Sequence, residues 1–443
     1  MSFLRWRHLG VAAFSLCLGL VATHALAGSQ GLKQKAEREL REAGVAKYLG
    51  EFEPVSSEPF AFDWVKHTFD SDGGDGPVCI AGGEYSMFTK SGDPDKVMIF
   101  LQGGGACWEG FPRCNPTAEA QFPPPAVFLP GIFAESSADG TIPNDIGDWS
   151  VAYFPYCDGS VFGGDNDVEN DPVFGVRRHR GLRNLSAGME VAKSVFPNAS
   201  HVLVTGSSAG GVGAAGFAPF LARFVFGNES SLYVLNDAGP IALNPGVATA
   251  AALARAEDWG FTEFFPESCI RQGLCDALGQ QTGLVEWRLK NDKTVREAFY
   301  ETDGDLTNIG FASSNSPGTP PVIPLDQVDY RTILDEAHGR LHEKYPNRYK
   351  RFIVSGANPV CGGLVAYSHT ALQGGNLGSF GCPGIDLYYD LEANGVPLYR
   401  WVNDFVETSG KKANGKGREF TDGVGSWVDI VEEFAPAPPL ALP

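Results

Sequence analysis

Basic residues are scarce in this chain: 34 Lys and Arg stand against 53 Asp and Glu, giving a net charge of −19. Such a surface repels nucleic acid and anionic membranes. It also repels a polyanionic substrate unless a local patch reverses the sign. None of the nine cysteines forms a CxxC pair, which removes the ligand spacing of a structural zinc site. The sequence has no HExxH for a zinc-hydrolase helix and no GK[ST] for a Walker phosphate loop. Beyond the N-terminus no apolar run is long enough to span a bilayer. These absences leave a protein expected to use no metal or other cofactor, to bind no nucleic acid and to insert stably in no membrane.

The N-terminus has a character of its own. Arg5 and Arg7 precede an apolar run over 9–23, and Ala25-Leu26-Ala27 is a small-x-small cleavage site. Residues 1–27 therefore read as a secretory signal, which sends the chain to the extracellular space or periplasm. Removing Cys17 with the signal leaves eight cysteines, an even number that reads as disulfides. Cys107/Cys114, Cys269/Cys275 and Cys361/Cys382 are near neighbours, which leaves Cys79 with Cys157; eight cysteines still allow 105 pairings. Asn184, Asn198 and Asn228 head glycosylation sequons that matter only in a glycosylating host.

Six apolar, β-rich runs follow, at 98–103, 149–156, 201–206, 232–236, 296–300 and 351–356. Most are nearly continuous rather than alternating, as in strands buried on both faces of a parallel sheet. Helical patterns at 181–195, 209–226 and 329–344 lie between them, and a short surface helix is expected within 30–50. The alternation predicts an α/β protein: a mostly parallel central sheet, helices on both faces and long decorating loops. A helical extension at 28–44, one catalytic domain over 45–433 and a disordered tail at 434–443 complete the expected layout, in a monomer.

The chemistry centres on "VLVTGSSAGG", residues 202–211, where a buried strand runs into Gly206-Ser207-Ser208-Ala209-Gly210. A strand entering Gly-x-Ser-x-Gly and leaving as a helix makes a turn tight enough to need small flanking residues. It lifts the central serine clear of the sheet edge. The helix then begins at the nucleophile, so its N–H groups face the charge that develops there. In this frame Ser208 is the nucleophile and Ser207 its neighbour. The oxyanion donors expected with it are the N–H of Gly104 or Gly105, in the GGG loop after "IFLQ", and that of Ala209. Trp108, Tyr156 and Asp158 are candidate substrate-binding residues at the same sheet edge.

A serine needs a base and an orienting acid. Only His338, His342 and His369 follow Ser208. The first two share the polar helix DEAHGRLHEKY and read as solvated surface residues. His369 lies in the loop "CGGLVAYSHTAL" past a late strand, which suits a base. Asp237, Asp303 and Asp305 all follow strand-like runs, and a cap or turn role is the commoner fate of such residues.

Several motifs together resemble the pectin acetylesterase family, which includes the Notum esterases. "CIAGGEYSMF" is similar to the family's opening strand and "FLQGGGACW" to its oxyanion segment. "FPYCDGSVFGGD" resembles its PYCxGxxxxGD stretch, and "VTGSSAGGVGA" and "NDAGP" its elbow and Asp-x-Gly. The resemblance implies an α/β-hydrolase-like serine esterase that removes acyl groups from carbohydrates, proteins or small esters. It implies Ser208 as nucleophile, His369 as base and Asp305 as acid, although the "DGD" run blurs Asp305 with Asp303. No long aliphatic run occurs in the loops at 113–147 and 357–380, so short acyl chains are expected.

Overall fold

The computed structural model describes residues 31–70, 74–109, 131–239, 249–279, 281–312, 325–373, 384–407 and 427–439. The expected signal peptide, Cys114 and Cys382 lie outside them.

The six apolar runs become strands. In chain order the strands are β1 (Ser56–Pro59), β2 (Trp64–Thr68), β3 (Ser86–Lys90), β4 (Asp93–Leu101) and β5 (Trp149–Phe154). A hairpin of β6 (Asn166–Asp171) and β7 (Gly175–His179) stands apart from the sheet. Then come β8 (His201–Ser207), β9 (Ser231–Asp237), β10 (Arg296–Thr302) and β11 (Tyr349–Val354). A two-residue ladder, β12 (Glu392–Ala393) with β13 (Val396–Pro397), precedes β14 (Ile430–Val431). Ten of these form one sheet in the order β1-β2-β3-β5-β4-β8-β9-β10-β11-β14. From β5 to β14 every pairing is parallel, and β1, β2 and β3 add an antiparallel edge.

The continuous apolar runs are explained by burial on two faces. Val97, Ile99 and Leu101 of β4 join one core, while Met98 and Phe100 join the other. On the first face lie α1 (Gln34–Glu42), α2 (Gly181–Val195), α3 (Ala209–Ala215) and α4 (Ala218–Phe226), which contribute Leu40, Leu185, Ala214 and Phe220. α5 (Thr249–Trp259), α6 (Glu267–Arg271) and α7 (Gln281–Asn291) follow on that face, with Ala256, Cys269 and Trp287 in the same core. Next in the chain are α8 (Leu306–Ala312), α9 (Gln327–Leu334) and α10 (Arg340–Lys344). α11 (Leu387–Asp390) and α12 (Leu398–Glu407) cover the second face through Leu387, Trp401 and Phe405. Among the described residues no single helix is long and apolar enough to cross a membrane.

Several local expectations change. The helix expected over 209–226 is two helices, α3 and α4, that meet at Gly216 and Phe217 with a bend of 52°. Within the helical extension expected over 28–44, Leu32, Ala36 and Leu40 pack into the core. Residues 434–439 are likewise held in place. The Ala435 carbonyl accepts from Gly356 N–H at 3.1 Å, and Tyr367 donates its hydroxyl to the Pro438 carbonyl at 2.9 Å. Asn184 is buried, its amide bonded to both backbone groups of Val78, so a glycosylating enzyme cannot reach it.

Two disulfides are described: Cys79–Cys157, closing 78 residues, and Cys269–Cys275, clipping a local turn. Cys107 and Cys361 are disulfide-bonded as well.

Candidate active site

β8 delivers Ser208 to the mouth of a cavity. Its backbone stands at φ 57°, ψ −121°, a conformation that L-residues adopt only when the surroundings impose it. Here the surroundings are close-packed backbone. A Cβ at Gly206 would lie 2.5 Å from the carbonyls of both Gly210 and Leu101, and one at Gly210 would run into Leu101. Only glycine fits at either position, and the strained turn leaves Ser208 partly open where Ser207 is buried. Ser207 Oγ instead donates to the Asp237 carboxylate.

The Gly103–Gly105 loop crosses beside this turn. A Cβ on Gly103 would sit 3.0 Å from the Ser208 Cβ, and one on Gly104 would enter the Tyr156 ring. Gly105 takes φ 87° and lines the cavity with Ser208 and Ala209. Ala209 opens α3, so its N–H has no carbonyl one turn back to bond. Of the expected oxyanion donors, Gly105 and Ala209 line the same cavity as the serine.

His369 follows the kinked 3-10 segment Val360–Tyr367, in which Cys361, Gly362 and Gly363 all have positive φ. Its Nδ1–H donates to Asp305 Oδ2 at 2.6 Å. Nε2 is buried and makes no hydrogen bond, so the Ser208 hydroxyl is not within bonding distance of it. Burial pulls His369 down. The Asp305 carboxylate, by charge and by hydrogen bond, and the charge of Asp237 outweigh it and hold His369 above the ordinary 6.5.

Three aspartates were open candidates for the acid, and their partners separate them. Asp303 is paired with Arg331 at 2.9 Å and Gln327 at 2.5 Å. Asp237 accepts from Ser207 and from the N–H groups of Ala371 and Leu372, and burial pushes it up to about 6. Asp305 alone meets His369. It caps α8 as well, accepting from Asn308 N–H at 3.0 Å, so one carboxylate serves both a helix N-terminus and a histidine.

Behind Asp305 lies a carboxyl that sequence reasoning missed. Glu301 is fully buried in β10 and accepts from Tyr330 Oη and Asn308 Nδ2, each at 3.0 Å. Asn308 Nδ2 also reaches Asp305 Oδ2 at 2.7 Å and so bridges the two carboxyls. Burial and the neighbouring Asp305 push Glu301 well above the usual carboxylate range. No sequence signal marks Glu301, since it sits inside an apolar strand pattern.

The cavity at Ser208 has a volume of about 130 Å³ and a wall that includes Trp108, Trp259, Phe261 and Phe311. Trp108 therefore lies where a pocket residue was expected. Tyr156 and Asp158 do not. Tyr156 is buried beneath Gly104, with its hydroxyl accepting from Val161 N–H. Asp158 is buried and accepts from Ser160 and Phe162, which shapes the loop that follows. His338 and His342 also depart from the sequence reading. His338 is fully buried, stacked at 3.7 Å on Phe299 and hydrogen-bonded to Tyr349 Oη. His342 is half-buried and bonds the Tyr349 carbonyl at 2.8 Å.

Comparison with known proteins agrees with this geometry. No curated protein matches the chain by sequence. The solved structure of the Wnt deacylase Notum from Drosophila superposes with a TM-score of 0.50 at 15% identity, covering 74% of this chain and 89% of that one. At that identity the likeness speaks for the fold, an α/β-hydrolase-like sheet with surrounding helices. The Pectinacetylesterase family model matches residues 65–253. That stretch, which holds the glycine loop, the Ser208 turn and Asp237, is similar to the pectinacetylesterase family, and the chain is a carboxylic ester hydrolase.

Proposed function

We propose that the chain is a secreted serine esterase that works through Ser208, His369 and Asp305 and a covalent acyl-enzyme. The observation that carries this reading is the 2.6 Å bond between His369 Nδ1 and Asp305, formed beside a strained serine turn. Asp305 and His369 lie outside the 65–253 match, so their roles rest on geometry.

Ser208 Oγ attacks the ester carbonyl while His369 Nε2 takes its proton. Asp305 fixes the tautomer that leaves Nε2 free and stabilises the imidazolium that forms. The N–H groups of Gly104 or Gly105 and of Ala209 bind the oxyanion. Removing one such donor typically costs about 100–1,000-fold in rate. Collapse of the tetrahedral intermediate expels the alcohol, which takes its proton from His369. Water, deprotonated by the same histidine, then releases the acid.

The substrate class is an acylated carbohydrate or small ester. A cavity near 150 Å³ accepts a group the size of benzene, so about 130 Å³ suits a short acyl group better than a fatty chain. Secretion is supported by the N-terminal pattern and by disulfides, which persist in oxidising compartments.

Hydrolysis of 4-nitrophenyl acetate, octanoate and palmitate, with and without a serine-directed organophosphate, tests the reading. Acetate turnover with organophosphate mass added at Ser208 is expected. A palmitate preference in kcat/KM would favour a lipase-like deacylase, and turnover confined to amides a peptidase. No turnover and no adduct would point to a binding protein with a degenerate site.

A further inference from the structure

Among the residues that line the Ser208 cavity, one carries a charge. Arg255, on α5, projects to the same cavity as Ser208, Ala209 and Gly105. Its Nε is buried and has no hydrogen-bond partner, and the guanidinium forms no ion pair with any described residue. Its one side-chain hydrogen bond to a described residue is a long one of 3.4 Å, from Nη2 to the Leu278 carbonyl. Asp258, three residues along the same helix, is occupied by Arg177 and His179.

Several buried arginines of the fold are paired with acids. Arg223 meets Asp292, Arg288 meets Glu297 and Arg331 meets Asp303. Arg255 is instead flanked by indoles, its Cζ 5.9 Å from the Trp108 ring and 5.5 Å from the Trp259 ring. Stacking on aromatic faces returns only part of what desolvating a guanidinium costs. Burial alone moves Arg255 down to about 10, so it stays charged at neutral pH. A planar, always-charged fork with free donors in a reaction cavity is suited to a carboxylate or sulfate.

We propose that Arg255 reads a single anionic group, a carboxylate or sulfate, on the ester that Ser208 attacks. The inference rests on the esterase reading above and narrows its substrate class. The chain's net charge of −19 works against a polyanion at long range, whereas one cation in the cavity accommodates one negative charge. The anion can belong to the acyl group or to the alcohol, and both place it in the cavity that Ser208 and Arg255 share.

Two matched pairs of esters separate these sources. For the acyl side, 4-nitrophenyl hemisuccinate is compared with its neutral isostere, 4-nitrophenyl 4-methylpentanoate. For the alcohol side, 4-acetoxybenzoate is compared with 4-acetoxybenzamide. The wild type should favour the anionic member of one pair by about tenfold or more in kcat/KM. Arg255→Met should erase that preference, leave the neutral ester within about threefold and leave the melting temperature unchanged; Arg255→Lys should keep part of it. Absence of preference in both pairs of the wild type would overturn the proposal whether or not the variants fold. So would an equal loss on anionic and neutral esters in Arg255→Met, which marks a structural role. Failure to hydrolyse any of the four esters would sink the esterase reading itself, and this inference with it.

Discussion

The backbone N–H of Ser208 donates to the carbonyl of Asp237 at 2.8 Å, across the β8–β9 pair. The carboxylate of the same Asp237 accepts from Ala371 and Leu372 N–H at 3.0 and 3.1 Å, just past His369. One buried residue therefore ties the serine turn to the histidine loop. It positions both segments by hydrogen bonds, and its charge also helps hold His369 above its ordinary value.

Asp237→Asn should lower kcat by tenfold or more with little change in KM, since an amide cannot accept from both N–H groups through both atoms. An unsatisfied buried donor costs about 1–3 kcal/mol, so the melting temperature should fall too. Asp237 sits near 6, above the ordinary 3.8. Its contribution to stability is therefore complete below pH 4 and is lost as pH rises through 6. The asparagine variant lacks that loss, so its stability deficit should narrow between pH 4 and pH 7. A widening deficit in calorimetry would contradict the assignment.

Ser208→Ala should abolish ester hydrolysis with the fold intact. Ser207→Ala removes only the hydroxyl bond to Asp237 and should retain measurable turnover at a cost of about 0.5–1.5 kcal/mol of stability. Rates and melting curves on the same preparations check this, and a dead Ser207 variant beside an active Ser208 variant would shift the register of the turn.

Asp305→Asn should cut kcat by up to about 10⁴-fold, because the amide no longer holds the tautomer that His369 needs. Asp303→Asn leaves Arg331 without its buried partner, which costs about 3–5 kcal/mol at most, and should leave kcat largely unchanged. Three lost decades of kcat at Asp303 and none at Asp305 would reverse the two roles.

His369 lies above its ordinary 6.5, and a general base works when neutral. In the wild type kcat/KM should thus rise with pH through a midpoint above 6.5. The His369–Asp305 pair stabilises the fold below pH 6.5, and that stabilisation is lost as pH climbs through the folded value. In the residual activity of Asp305→Asn the midpoint should move down; an unmoved or raised midpoint would show that Asp305 does not face the titrating base.

Deleting residues 434–443 removes the Ala435 and Pro438 carbonyls that hold Gly356 and Tyr367, on the segment leading to His369. kcat should fall by more than tenfold while the described disulfides stay formed. Full activity in the truncated protein would show that the histidine loop stands without the tail.

Much of this architecture is written locally in the chain. The six strands and α2 were legible because burial on both sheet faces demands unbroken apolar runs and helices repeat at 3.6 residues. The Ser208 turn was legible because only glycine fits at Gly206 and Gly210, a steric demand that leaves a mark in sequence. The placement of His369 in a loop past a late strand followed from chain order.

What needed the tertiary structure is everything set by neighbours distant in sequence. Asp237, Asp303 and Asp305 look alike in the chain, and only the groups brought against them by β8, α9 and the segment around His369 give them different partners. His338 reads as a surface residue of a polar helix until Phe299 of β10 is packed on its ring. Tyr156 and Asp158 stand at the right sheet edge, yet their side chains turn inward under the glycine loop. Glu301 and Arg255 carry no local signal at all, because what distinguishes a buried acid or an unpaired cation is which partners the fold supplies and which it withholds.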